Sequence, residues 1–82
     1  MPNNNYVPID DIEEFHRKIS CNIERIRIEK EMSQLEVALS LGFTSVTFYT
    51  NAENNKRGKH FNLEHLYKLS KIFEVEVADL LA

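Results

Sequence analysis

The chain has 82 residues, 43% of them hydrophobic and 28% charged, with a formal net charge of −3. That length holds one domain around one small core, below what most catalytic folds need to wall off a pocket. A single cysteine, Cys21, excludes an internal disulfide framework and a cysteine-rich zinc site, and it suits a reducing, cytoplasmic setting. No apolar run approaches the ~18–20 residues that cross a bilayer, so no membrane partner is expected.

The charge total hides segregation. Residues 1–14 carry Asp10, Asp11, Glu13 and Glu14 with no base, and residues 73–82 carry Glu74, Glu76 and Asp79 with no base. Residues 44–72 hold Lys56, Arg57, Lys59, Lys68 and Lys71 against Glu53 and Glu64. Screening acts over ~8 Å at physiological salt, so local fields decide where a polyanion docks. A nucleic-acid surface is therefore expected only in the middle of the chain.

In chain order, residues 1–9 read as a flexible tail, polar from Met1 to Pro8 with three consecutive Asn and a Pro near each end. Asp10 or Asp11 offers an N-cap, and Glu13 and Glu14 suit a first helical turn. Ile12, Phe15, Ile19, Ile23 and Ile26 follow at helical spacing, which predicts a first helix near 11–31 with room for a bend at Ser20–Asn22. Ser33 and Glu36 form a capping box for a second helix, Gln34 to Leu41, which Gly42 ends. Thr44 or Ser45 is the expected cap of a third helix reaching about Asn54. Residues 54–61 are polar and basic, hence a loop. Asn62 caps a fourth helix with an apolar stripe of Leu63, Leu66, Leu69 or Ser70, and Phe73. A last short helix holds Val77, Leu80 and Leu81.

Five helices joined by short connections predict an all-α bundle, with residues 10–82 as a single domain and 21–82 as its core. A short helix, a tight turn containing Gly and a second helix, over about 34–54, is the helix-turn-helix arrangement that binds DNA.

From Ile23 onward the residues resemble the Cro/CI-type (XRE, lambda-repressor-like) helix-turn-helix family. Ile23 to Arg27 is similar to its first helix. Met32-Ser33-Gln34, Val37-Ala38 and Leu41-Gly42 are similar to its second. Tyr49 to Glu53 is similar to the end of its recognition helix, and Asn62-Leu63, Leu66, Leu69, Val75 and Leu80-Leu81 to its closing helices. The family usually has ten residues from that Gly to that Glu, whereas Gly42 to Glu53 here is eleven. The extra residue belongs to the turn or to the start of the third helix.

The resemblance implies a five-helix lambda-repressor-like bundle with an N-terminally extended first helix, and a sequence-specific regulator of transcription, a small homodimeric repressor that sits on the nucleoid when bound. With Ser45 as cap, Val46, Thr47, Phe48, Thr50 and Asn51 would face the major groove, with Tyr49 and Ala52 inward. Asn and Thr read base edges, and Val46 or Phe48 meets a thymine methyl. The lack of Arg, Lys or Gln there points to A·T-rich sites or modest base readout. Gln34, Ser45, Asn54, Asn55, Lys56, Arg57 and Lys59 are the expected phosphate contacts. Arg27 and Glu53 are expected to form a structural ion pair.

Leu35 and Leu39 fall where the family is commonly polar. Either the N-terminal segment (Ile9, Ile12, Phe15) folds over them or a protein partner does, so Ile12, Phe15, Leu35 and Leu39 mark a possible partner surface. The alternative function is accordingly a protein–protein adaptor or an antitoxin-like binder on the same fold. His16, His60 and His65 share no metal-ligand spacing and read as polar surface, and Cys21 as an inert, part-buried thiol. With no phosphate-cradling Gly loop, carboxylate pair or nucleophile triad, no enzyme activity, metal, cofactor or small-molecule substrate is expected.

Overall fold

The computed structural model describes residues 6–82, so residues 1–5 of the expected tail lie outside it. Five helices follow in order: α1 (Ile9–Glu29), α2 (Gln34–Ser40), α3 (Thr47–Glu53), α4 (Leu63–Phe73) and α5 (Val77–Leu81). There is no strand among the described residues.

α1 starts two residues earlier than its periodicity suggests. Pro8, not Asp10 or Asp11, occupies the cap position, and its carbonyl accepts from the N–H of Asp11 at 3.1 Å. Ile9 therefore belongs to the helix rather than the tail, and the two aspartates sit in the first turn, where the helix dipole favours them. The helix runs through Ser20–Asn22 unbroken. Their side chains bond across the core instead of to local backbone. Ser20 Oγ donates to the Ala52 carbonyl at 2.9 Å, and Asn22 Nδ2 donates to the carbonyls of Leu80 and Ala82.

The expected capping box at Ser33 forms, and the expected cap Asn62 proves to be part of a second box. Ser33 Oγ accepts from Glu36 N–H while the Glu36 carboxylate accepts from Ser33 N–H. At α4 the Asn62 carbonyl oxygen accepts from His65 N–H, and His65 Nδ1 accepts from Asn62 N–H. α2 ends in a Schellman motif, with Gly42 N–H donating to Leu39 and Phe43 N–H to Ala38. Gly42 holds a φ of 98°, a conformation that penalises any residue with a Cβ. α1, α3 and α4 end through the same bonds with Glu31, Asn55 and Glu74 in the left-handed position.

The core joins the C-terminal half of α1 (Ile19, Ile23, Ile26) to Val37 and Ala38 of α2, Tyr49 and Ala52 of α3, Leu66, Leu69 and Phe73 of α4, and Leu80 of α5. Leu63, expected on that stripe, is instead exposed at the start of α4. The first ten residues of α1 bury no side chain, so that end of the helix extends past the core.

Candidate nucleic-acid interface

α3 begins at Thr47, later than expected, and carries no side-chain cap. Thr44, Ser45 and Val46 form bends before it, so the extra residue lies in the turn and not within the helix. The turn shifts because Phe43 and Val46 pack on the core. Phe43 meets Phe48 edge-on at 5.0 Å, and His65 packs against both rings.

One face of α3, Tyr49, Ala52 and Glu53, is buried. The opposite face carries Thr47 and, just past the helix end, Asn54, both exposed, with Thr50 and Asn51 half-buried between them, at the three-to-four-residue spacing of one helical stripe. Val46 and Phe48 do not project as expected. Both are half-buried against the core, and Phe48 belongs to the aromatic cluster.

Glu53 holds this helix in place. Its side chain is fully buried and accepts four bonds: from Arg27 Nε at 2.9 Å, Arg27 Nη2 at 3.1 Å, Gln34 Nε2 at 2.8 Å and the Tyr49 hydroxyl at 2.6 Å. Arg27 comes from α1, Gln34 from α2, and Tyr49 and Glu53 from α3, so a single carboxylate ties the three helices together. Arg27 also donates through Nη1 to the Met32 carbonyl. The bonds to Glu53 hold the guanidinium above its usual range despite burial. Burial, then the bond to Glu53, pushes the Tyr49 hydroxyl up as well, so it remains a donor.

Gln34, expected at a phosphate, is thus drawn inward, and its Oε1 accepts from Thr50 Oγ1 at 3.2 Å. An amide nitrogen carries two hydrogens, and Glu53 takes one. The bond of Gln34 to Glu53 joins residues 19 apart, a relation that periodicity does not reveal, whereas Tyr49 and Glu53 are one helical turn apart.

The loop after α3 is sharply folded. Arg57 and Gly58 both have positive φ, and Lys59 N–H closes the turn on the Lys56 carbonyl. Lys56, Arg57 and Lys59 are exposed, as are Ser45, Thr44 and Asn54, while Asn55 is half-buried. Glu53 is the only acid between Thr44 and Leu63, and it faces the core. The surface formed by the turn, α3 and this loop therefore carries three cations and no exposed carboxylate of its own, and Glu13 of α1 borders the loop from outside.

The histidines are not plain surface. His16 of α1 stacks on His60 of the loop, with ring centroids 3.7 Å apart and planes 8° from parallel. Burial lowers the pKa of His60, and the neighbouring His16 lowers it further. Burial also lowers that of His65. Glu13, Arg17, Asn55, Gly58 and His60 line a shallow cleft beside the stack. Cys21, expected to be part-buried, is exposed. Leu35 and Leu39 are 50% and 54% exposed, so the N-terminal turns of α1 do not cover them. Those turns lie against the 54–61 loop instead. Among the described residues no three His, Cys, Asp or Glu side chains are grouped as metal ligands, and no helix is long and apolar enough to cross a membrane.

No curated protein and no solved structure matches this chain. The family model described as helix-turn-helix matches residues 23–80, more than two thirds of the chain and all of the elements from the second half of α1 to α5. With its all-helical bundle, its capped α2 and its Glu53-anchored α3, the chain belongs to the Cro/CI-type helix-turn-helix family of DNA-binding regulators.

Proposed function

We propose that this protein is a sequence-specific double-stranded DNA-binding regulator of transcription, a cytoplasmic repressor that acts on the nucleoid as a homodimer. One observation carries the reading. The stripe of Thr47, Thr50, Asn51 and Asn54 stands beside Lys56, Arg57 and Lys59, while Glu53, the one carboxylate that residues 44–63 carry, is turned into the core. A helix in the major groove needs short polar side chains toward base edges and cations toward the flanking phosphates, and that is the order found.

In this reading Asn51 and Thr47 are the principal base contacts, with Thr50 reading from beside Gln34. Asn51 bonds adenine in two places, or Thr47 meets a thymine methyl, which favours A·T-rich sites. Val46 and Phe48 shape the helix entry rather than touch bases. Ser45, Asn54, Asn55, Lys56, Arg57, Lys59 and the second amide hydrogen of Gln34 address phosphates. Two copies on a two-fold axis would read a palindrome with half-sites about one helical turn apart.

Selection from random duplex DNA, followed by affinity at two salt concentrations, tests this. A short enriched palindrome with binding that collapses as salt rises supports the proposal. Asn51→Ala should then lose ~1–3 kcal/mol of discrimination at one position, whereas an equal drop on cognate and scrambled sites would remove it from the base-reading set. The exposed Leu35 and Leu39, four apart on α2, favour a second reading, an adaptor or antitoxin-like binder. No enrichment and no binding at low salt would select it.

A further inference from the structure

We infer that two copies of this chain pair through the projecting N-terminal turns of α1, antiparallel, around Phe15. The inference rests on the dimer of the proposed function and names its surface. Ile12 and Phe15 are both exposed, Phe15 at 51%, in a stretch of helix whose remaining apolar face has no cover from the bundle. One side of this stretch is occupied, because His16 stacks on His60 and Glu13 and Arg17 border the cleft beside the loop. No described residue covers the other side.

That open side has a self-complementary charge order. Asp11 lies four residues before Phe15 and Lys18 three after, so at ~100° per residue both fall on the Phe15 edge of the helix. Among the described residues neither makes an ion pair. Glu14, the one acid four residues from Lys18, is bonded to Arg17 at 2.6 Å. An acid, an aromatic and a base in that order match their own reverse. A two-fold axis beside Phe15 sets each Asp11 against the Lys18 of the second copy and packs the two rings and the Ile12 side chains between them. A two-fold interface of this kind uses one patch twice, and it needs that self-matching. A parallel pairing would instead set Asp11 on Asp11 and Lys18 on Lys18. Two helical turns on each side bury less than the ~800 Å² per partner of a standard interface, so the association is concentration-dependent.

Sedimentation of the full chain without DNA tests this over a concentration series reaching the millimolar range. Wild type should shift from monomer to dimer. Asp11→Lys or Lys18→Asp alone converts both attractive pairs to repulsive ones and should weaken the dimer about ten-fold or more. The double variant Asp11→Lys/Lys18→Asp exchanges the charges and should return to within about three-fold of wild type. Phe15→Ser should abolish association, with helix content unchanged by circular dichroism because Phe15 is outside the core. A dimer indifferent to all four variants overturns this surface and leaves the homodimer standing. A wild type that stays monomeric overturns both, while DNA selection still reports separately on the helix-turn-helix.

Discussion

Removing Arg27 is the most direct test of what holds α3 in position. Arg27→Met keeps much of the aliphatic stem but strands Glu53, whose side chain is fully shielded while that of Arg27 is 13% exposed. Two of the four bonds to the carboxylate go with the guanidinium, leaving those of Gln34 and Tyr49. An uncompensated buried charge costs ~3–5 kcal/mol. In a domain of this length each kcal/mol moves the midpoint by ~4–8 °C, so a fall of about 12–40 °C is expected. Small domains hold only ~5–15 kcal/mol in total, so the variant should be near the edge of folding. The same pair replaced on both sides, Arg27→Met with Glu53→Met, leaves no charge behind. Urea unfolding of wild type, both single variants and the double variant closes the cycle. The double variant should be less destabilised than the two singles added together, by ~1–3 kcal/mol. If Arg27→Met costs less than ~1 kcal/mol, or if the single effects simply add, Glu53 does not depend on Arg27 and the anchoring argument fails.

Three other outcomes follow from particular contacts. Replacing Lys56, Arg57 and Lys59 by Ala should weaken all duplexes alike and reduce the slope of log affinity against log salt by about 2.7, roughly 0.9 for each lost phosphate contact; an unchanged slope would move the phosphate surface elsewhere. Glu74 ends α4 with a φ of 59°, so Glu74→Gly should relieve ~1 kcal/mol of left-handed strain and raise the melting temperature, and a lowered one would contradict that reading. His65 accepts the Asn62 N–H through Nδ1 and has a lowered pKa in the fold, so the folded state binds its proton less readily than the unfolded chain. Its contribution is therefore intact above the unfolded value of ~6.5 and is lost as the pH falls below it. His65→Gln keeps the capping acceptor without a titration and should flatten the loss of stability between neutral and mildly acid pH, as read by thermal melts; the same slope in the variant would assign that loss to other groups, His60 first.

Local chemistry was legible in the sequence where it acts over three or four residues. The box at Ser33 and the cap at Asn62 need only a side-chain oxygen within one turn of the helix start, and both form; that His65 completes a second box lies outside the expectation. Gly42 is the one helix terminus that announces itself. The other three use Glu31, Asn55 and Glu74; Asn tolerates the left-handed backbone readily, but at Glu31 and Glu74 it is imposed by Schellman bonds and not by preference. The start of α3 departs from the expected cap for a related reason. Thr44 and Ser45 are both good caps, but Phe43, Phe48 and His65 close a cluster that sets the chain's path before any cap acts, and the helix begins at Thr47 without one.

The extra residue between Gly42 and Glu53 shows how the two levels interact. Glu53 is fixed from the far end, by Arg27 on α1 and Gln34 on α2, so the register of α3 is set by its C-terminal carboxylate rather than by where the turn releases it. An insertion ahead of the helix can then be absorbed in the bends at Thr44–Val46 without rotating the stripe of Thr47, Thr50 and Asn51. A one-residue insertion inside a helix would have turned that stripe by ~100°, toward the core. The outward stripe and the ion pair are thus one feature. The spacing back from Glu53, and not forward from Gly42, determines which side chains of α3 face outward.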